Sequence, residues 1–244
     1  MYDVTFSIIV VSLNAEKTIG ITLNSILEQT CTDYEIVIKD GKSKDNTLGM
    51  IPENEKIRIY SESDRSVYDA MNQALDYAKG KFIIFMNCGD TFYSPHVLER
   101  FYKVVQEQAL NGSELLYGNY AKDGKVSTQC SVIDERYLIK SGLCHQTVFF
   151  GKEVFDKIGG FDDTMLICAD YEIMVRAFFA GNRYIYVNEV VCNYLGGGLS
   201  EMKKNIPLVK KEGNIVRKRY FSGVKRYQYV FDKILKRLKK SRML

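Results

Sequence analysis

Lys81-Phe-Ile-Ile-Phe-Met-Asn-Cys-Gly-Asp90 is the stretch on which the fold turns. Phe82 to Met86 form an unbroken apolar run, the pattern of a strand buried on both faces of a sheet. The run stops at Asn87 and Gly89, and a carboxylate, Asp90, follows at once. Open α/β sheets bind ligands beyond the carboxyl ends of their strands, so Asp90 stands where a ligand is expected. A carboxylate is a hard, acceptor-only group suited to Mg²⁺ or Mn²⁺ carrying phosphate oxygens. Taken alone, an Asp capping the next turn is an equal reading.

Upstream, apolar patterns alternate between strand and helix. Phe6 to Leu13 reads as a buried strand, and Ala15 to Gln29 carries Ile19, Leu23, Ile26 and Leu27 at helical spacing. Tyr34 to Lys39 and Ile57 to Tyr60 are further strands, with a short helical or irregular stretch opening at Thr47. Tyr68 to Ala78 places Met71, Ala74, Leu75 and Ala78 on one helical face, with Gly80 as its stop. This alternation predicts βαβ units on a mostly parallel, Rossmann-like sheet over residues 1–105.

Downstream the pattern is less regular. Leu115 to Tyr120 and Val126 to Val132 flank Asp123-Gly124, a hairpin signal. Thr147 to Phe150 is a short strand, and Lys152 to Ile158 a short helix ended by Gly159-Gly160. Ala169 to Ala180 is a helix. Tyr184 to Val187 and Val191 to Tyr194 are strands ahead of Gly196-Gly197-Gly198.

Composition narrows the classes. The chain has 244 residues, 46% apolar and 26% charged. No run approaches the roughly 18 apolar residues that cross a bilayer. Ser7 to Leu13 is too short for a signal peptide, and polar Asn14 and Glu16 follow it. Six scattered cysteines without Cys-x-x-Cys spacing predict reduced cytoplasmic thiols, not disulfides or zinc. The net charge of +4 hides an asymmetry: residues 217–244 hold eleven Lys/Arg against Asp232 alone, so the remainder is acidic. In that tail Tyr227, Val230, Phe231, Ile234, Leu235 and Leu238 recur at helical spacing among basic residues. A basic amphipathic helix over 216–244 suits an anionic membrane surface; a helix packed on the body with a solvated basic face is the bland alternative.

Three sheet segments deliver polar groups to one edge: Ser12-Leu13-Asn14-Ala15-Glu16, Asp40-Gly41-Lys42-Ser43-Lys44-Asp45-Asn46-Thr47, and the Asn87 to Asp90 loop. That outlines a nucleotide pocket, with Asp40 facing base and ribose and Asp90 the metal of a diphosphate. Neither a Gly-x-x-x-x-Gly-Lys-Ser/Thr loop nor Gly-x-Gly-x-x-Gly is present, which disfavours P-loop and dinucleotide readings.

These segments, together with Glu62 to Asn72, Cys144 to Phe150, Gly159 to Asp162, Cys168 to Glu172 and Gly197 to Ser200, resemble family 2 glycosyltransferases of the GT-A fold. The resemblance covers roughly residues 5–200 and is nearest to members that build bacterial surface polysaccharides. It implies a donor-binding half over 1–105 and an acceptor-binding, catalytic half over 106–215, ahead of the tail. Asp40 would bind the nucleotide base, usually uracil, with Ser12, Leu13, Asn14, Glu16, Asp64, Arg65 and Asn72 bordering it. Asp90 would ligate a divalent metal, and Asp170 would be the catalytic base. Asn87, Gly89, His145, Gln146 and Gly197 would contact donor or acceptor. The chain departs from the family where Asn87 and Gly89 replace Asp, leaving one strong metal ligand, and where Ala169 precedes Asp170. With no Trp at all, the Gln-x-x-Arg-Trp signature of processive members is missing, which implies one sugar per encounter.

The expected partners are a UDP-linked nucleotide-sugar donor, a saccharide or lipid-linked acceptor, and the anionic inner face of the cell membrane, with no nucleic acid. Bland readings stand beside several residues. Asp45-Asn46-Thr47 suits an N-cap, Asn72 helix-start polarity, His145 a structural hydrogen bond, and Tyr68 core packing. Two rival functions remain. A nucleotidyltransferase would carry a basic Gly-rich loop after strand one, and Ser12 to Glu16 lacks it. A non-catalytic polyanion-binding module would leave the ordered carboxylates unexplained.

Overall fold

The computed structural model describes residues 2–230. In chain order the strands are β1 (Val4–Ser12), β2 (Tyr34–Asp40), β3 (Ile57–Ser61), β4 (Gly80–Asn87), β5 (Thr91–Phe92), β6 (Glu114–Lys122), β7 (Lys125–Ser127), β8 (Val148–Gly151) and β9 (Arg183–Asn193). The helices are α1 (Ile19–Leu27), α2 (Val67–Leu75), α3 (Val97–Glu107), α4 (Glu135–Leu138), α5 (Lys152–Ile158), α6 (Ala169–Phe179) and α7 (Ile206–Tyr220). The strands join one sheet in the order β3-β2-β1-β4-β8-β6-β9-β5, with β7 hairpinned onto β6.

The parallel sheet predicted for the first half is present: β3, β2, β1 and β4 run side by side in one direction. The second half is mixed. β8 is antiparallel to both β4 and β6, while β6 and β9 are parallel. Residues of β4 alternate between two cores, as the unbroken apolar run requires. Ile83 and Phe85 pack with Met71 and Ala74 of α2 and Ile173 of α6. Phe82, Ile84 and Met86 pack with Leu23 and Ile26 of α1 and Phe101 of α3.

Three local expectations differ. Gly80 does not close α2; it is the first residue of β4, and a Cβ there would lie 2.4 Å from the Ser7 amide nitrogen of β1. Close approach of two strands, not a helix stop, demands the glycine. The two late strands are one, β9, whose register against β6 shifts around Asn119, so Asn188 and Glu189 interrupt the apolar pattern without ending the strand. The Asp123-Gly124 turn is confirmed, with φ of 50° and 72°, but β7 ends at Ser127.

The division drawn at residue 216 falls inside α7. Val216 and Phe221 are buried in the same core as α6, so this part of the basic segment belongs to the body. Residues 223–230 are helical, with Val224, Tyr227 and Val230 exposed. The rest of the expected amphipathic tail lies outside the described residues.

Candidate active site

Strand register sets the site. Val11 lies opposite Asn87, Ser12 opposite Asp40, and Asp40 opposite Ser61, so β1 to β4 end together on one edge. Beyond that edge a cleft of about 790 Å³ opens. Asp90 and Asp170 both line it, as do Asn87, His145, Gln146 and Gly197.

Asp90 is only 3% exposed. Its Oδ2 accepts from Gln146 Nε2 at 3.0 Å and its Oδ1 from the Leu195 amide at 2.8 Å. Burial pushes this carboxyl above its ordinary pKa, and those two neutral donors together with nearby His145 only partly offset it. Gly89 shapes the loop before it: its φ is +107°, and a Cβ would meet Leu195 Cδ2 at 2.5 Å.

Asp170 stands in the first turn of α6 with its side chain 28% exposed. Its Oδ1 accepts from the Tyr171 amide at 2.8 Å and lies 3.3 Å from the Tyr68 hydroxyl. Its Oδ2 is 3.4 Å from His145 Nδ1. The other ring nitrogen, Nε2, is 3.3 Å from Asn87 Nδ2. Burial lowers the His145 pKa, but Asp170 chiefly, with Cys144 and Asp90, outweighs it and holds the ring above its ordinary value.

The residues expected at the nucleotide base sit at the same sheet edge but outside the cleft wall. Asp40 is fully buried, accepting from the Ser43 amide at 3.0 Å and the Ser61 and Ser12 hydroxyls at 2.8 and 3.3 Å. Burial pushes its carboxyl up, and these hydrogen bonds, Ser43 foremost, bring it below its ordinary value. Asn14 takes a left-handed φ of 51° and zips the first loop to the second: its amide donates to Ser43 Oγ and its side chain accepts from the Lys44 amide. Glu16 likewise accepts from the Asn46 amide. Leu13 is exposed, beside Gly41 and Asp64, and Asp64 is 3.5 Å from the fully buried Lys39 ammonium.

Two expected contacts are turned elsewhere. Arg65 is paired with Asp69 and Asp163. The Asn72 amide is spent on the backbone of Phe161, donating at 2.9 Å and accepting at 2.8 Å.

The structure adds residues the sequence did not single out. Glu212 of α7 is 5% exposed, and its two oxygens accept the amides of Leu166, Ile167 and Cys168 at 2.9, 3.0 and 2.9 Å, immediately before the helix that carries Asp170. Arg219 and Tyr220, also of α7, bind the buried Glu172 of α6. Lys122 and Glu201, both lining the cleft, form an ion pair, and Glu201 accepts the Gly197 amide at 2.9 Å, tying down the glycine loop. In the sequence Lys210-Lys211-Glu212 reads as surface charge, so nothing there signalled the first of these.

The chain is similar to known proteins in sequence and in fold. The profile of glycosyl transferase family 2 matches residues 7–148. A PGL/p-HBAD biosynthesis glycosyltransferase of Mycobacterium tuberculosis is 33% identical over 224 residues, covering 85% of this chain and 86% of that protein. The chain belongs to glycosyl transferase family 2. Another family relative, the UDP-Glc:alpha-D-GlcNAc-diphosphoundecaprenol beta-1,3-glucosyltransferase WfgD of Escherichia coli, is 33% identical over 123 residues, 49% of this chain and 47% of that one. The fold is shared with the crystal structure of S. aureus TarS 1-349, at a TM-score of 0.67 and 19% identity, over 78% of this chain. This glycosyltransferase spans 60% of that TarS chain. It is also similar to the mannosyltransferase PcManGT from Pyrobaculum calidifontis, solved with GDP-Man and Mn²⁺, at a TM-score of 0.59, 16% identity and 86% coverage of this chain. Among the described residues no helix is long and apolar enough to cross a membrane.

Proposed function

We propose that this glycosyltransferase moves one sugar from a UDP-linked donor to a hydroxyl of a saccharide or lipid-linked acceptor, with inversion at the anomeric carbon, in the synthesis of a bacterial surface glycan. One observation carries the reading: two carboxylates from distant parts of the chain, Asp90 and Asp170, line one cleft and are held by the adjacent residues His145 and Gln146. The names of relatives support the substrate classes. WfgD is named for a UDP-Glc donor and a diphosphoundecaprenol-linked acceptor, and TarS has been crystallised with UDP-GlcNAc.

An acceptor hydroxyl is a weak nucleophile, so a carboxylate must take its proton as attack proceeds. Asp170 does this in the proposal, from the side of the sugar opposite the diphosphate, in a single displacement. Residues 1–105 hold the donor, with Asp40 and the loops it organises at the nucleotide end. Residues 106–215 supply the acceptor side.

The donor set at Asp90 fits a divalent metal of one kind. Asp90 is a buried carboxylate met only by neutral donors, an uncompensated charge that favours a cation. Among the described residues no cluster of three His, Cys, Asp or Glu could hold an ion unaided. Mg²⁺ is commonly held by one carboxylate plus substrate phosphates, so diphosphate oxygens complete such a site. When bound, the ion stabilises charge developing on the leaving diphosphate.

Membrane association belongs to the same proposal: Val224, Tyr227 and Val230 present an apolar edge beside Lys225 and Arg226. Removing residues 222–244 is expected to abolish binding to anionic vesicles, and unchanged binding would refute it. The transfer itself is tested with a panel of nucleotide sugars, with Mg²⁺, Mn²⁺ or chelator. UDP release with an inverted anomeric configuration by NMR is expected. Pyrophosphate release, or retained configuration, would overturn the proposal.

A further inference from the structure

We propose that His145 is a positioning residue that aims the carboxylate of Asp170, and that Asn87 fixes which way the imidazole points. The inference rests on the assignment of Asp170 as base. It reassigns His145 from a ligand contact to a bridge between the donor loop and the base.

Tyr68 has one hydroxyl proton and two candidate acceptors, Ile167 O at 2.6 Å and Asp170 Oδ1 at 3.3 Å. The shorter contact takes it. Asp170 Oδ1 then keeps the amide of Tyr171, a bond to its own chain neighbour that cannot orient the side chain across the cleft. The group facing Oδ2 is His145 Nδ1, 3.4 Å away. An ionised carboxylate only accepts, so Nδ1 must carry a proton for the contact to be attractive. Asn87 completes the arrangement, because its Nδ2 is 3.3 Å from Nε2 and is a donor, which Nε2 can accept only when it carries no proton. The neutral imidazole is therefore the Nδ1–H tautomer. The charges facing this ring are Asp170 from α6, Asp90 from the loop after β4 and Cys144 in its own turn.

The distance is long for a hydrogen bond, and catalytic hydrogen bonds often close only in the substrate complex. In the transfer step the acceptor O–H bond breaks and its proton passes to Asp170, while the acceptor oxygen bonds to the anomeric carbon and the nucleoside diphosphate leaves with the electron pair of the broken bond. His145 gives up no proton in this step. It restricts the carboxylate to the orientation that can receive one.

The chain has two histidines, so ¹⁵N-histidine labelling gives two ring systems, with surface His96 beside Glu99 as internal reference. The neutral His145 ring is expected as Nδ1–H, and Asn87→Ala is expected to blur that preference. His145→Ala is expected to lower kcat by about 10–100-fold, the usual cost of an outer hydrogen-bond partner, with donor KM within about twofold. His145→Gln, whose amide N–H can face Asp170, recovers part of kcat. An Nε2–H tautomer, or a His145→Ala variant that raises KM at unchanged kcat, overturns the proposal. Should His145→Ala fail to fold, the tautomer and the Gln variant decide it. Full transfer by Asp170→Asn would instead remove the base assignment beneath, a distinguishable failure.

Discussion

Gln146 holds Asp90: its side-chain amide donates to Oδ2 at 3.0 Å, from the turn that leads into β8. The preceding residue, His145, faces Asp170. The two carboxylates that define the cleft are thus fastened from one short turn, although one follows β4 and the other opens α6.

Asp170→Asn preserves size and removes the carboxylate proposed to accept the proton. Donor affinity, measured calorimetrically, is expected to stay near wild type, while kcat falls by about 10²–10⁴-fold. Near-normal turnover would remove Asp170 from the role.

Asp90→Asn tests the cost of a buried charge. Burial raises the folded-state pKa of Asp90 above its value in the unfolded chain, about 3.9. Between those two values the folded protein binds more protons, so stability falls as pH rises through that window and stays reduced above it. The Asn variant lacks this penalty. Thermal melts without metal are expected to place it at or above wild type near neutral pH, with the gap closing toward about pH 4. A lower melting temperature at neutral pH would contradict this, whatever the loss of activity.

Ion binding should depend on the nucleotide. With one carboxylate at the site, Mn²⁺ titrated alone is expected to bind weakly, and UDP to tighten it at least about tenfold. Equal affinity with and without UDP, or enhancement that survives Asp90→Asn, would count against a shared site.

Glu212→Ala leaves three backbone amides ahead of α6 without an acceptor. A loss of at least about 2 kcal/mol in urea unfolding is expected, since each unpaired buried group costs on the order of 1–3 kcal/mol. Activity should fall as well, because those amides lead into Asp170. A variant as stable and active as wild type would deny Glu212 this part.

Much of the first half was legible in the sequence because its physics is local. Phe82 to Met86 had to be a two-faced strand, and its sharp end at Asn87 put Asp90 at the sheet edge. Asp90 and Asp170 could be named as one site only through the family resemblance, since nothing local to either residue points to the other. Long-range compensation was the part that escaped. Glu212 reads as surface charge in a run of lysines, and only the folded chain shows three amides converging on it. α7 was missed because Pro207 and Gly213 dilute its pattern and Val216 is its one buried large apolar residue, the rest of its tie to α6 running through polar groups such as Tyr220 on Glu172. β9 read as two strands because polar residues at its bulge mimic a turn.

The fastening of both carboxylates from consecutive residues makes a single peptide unit a ruler. Neighbouring Cα atoms are 3.8 Å apart whatever the surroundings. The two contacts, Gln146 to Asp90 and His145 to Asp170, therefore start from backbone positions whose separation is set by covalent geometry. A residue inserted between His145 and Gln146 is expected to spare the fold's layers while putting the two contacts out of step with each other.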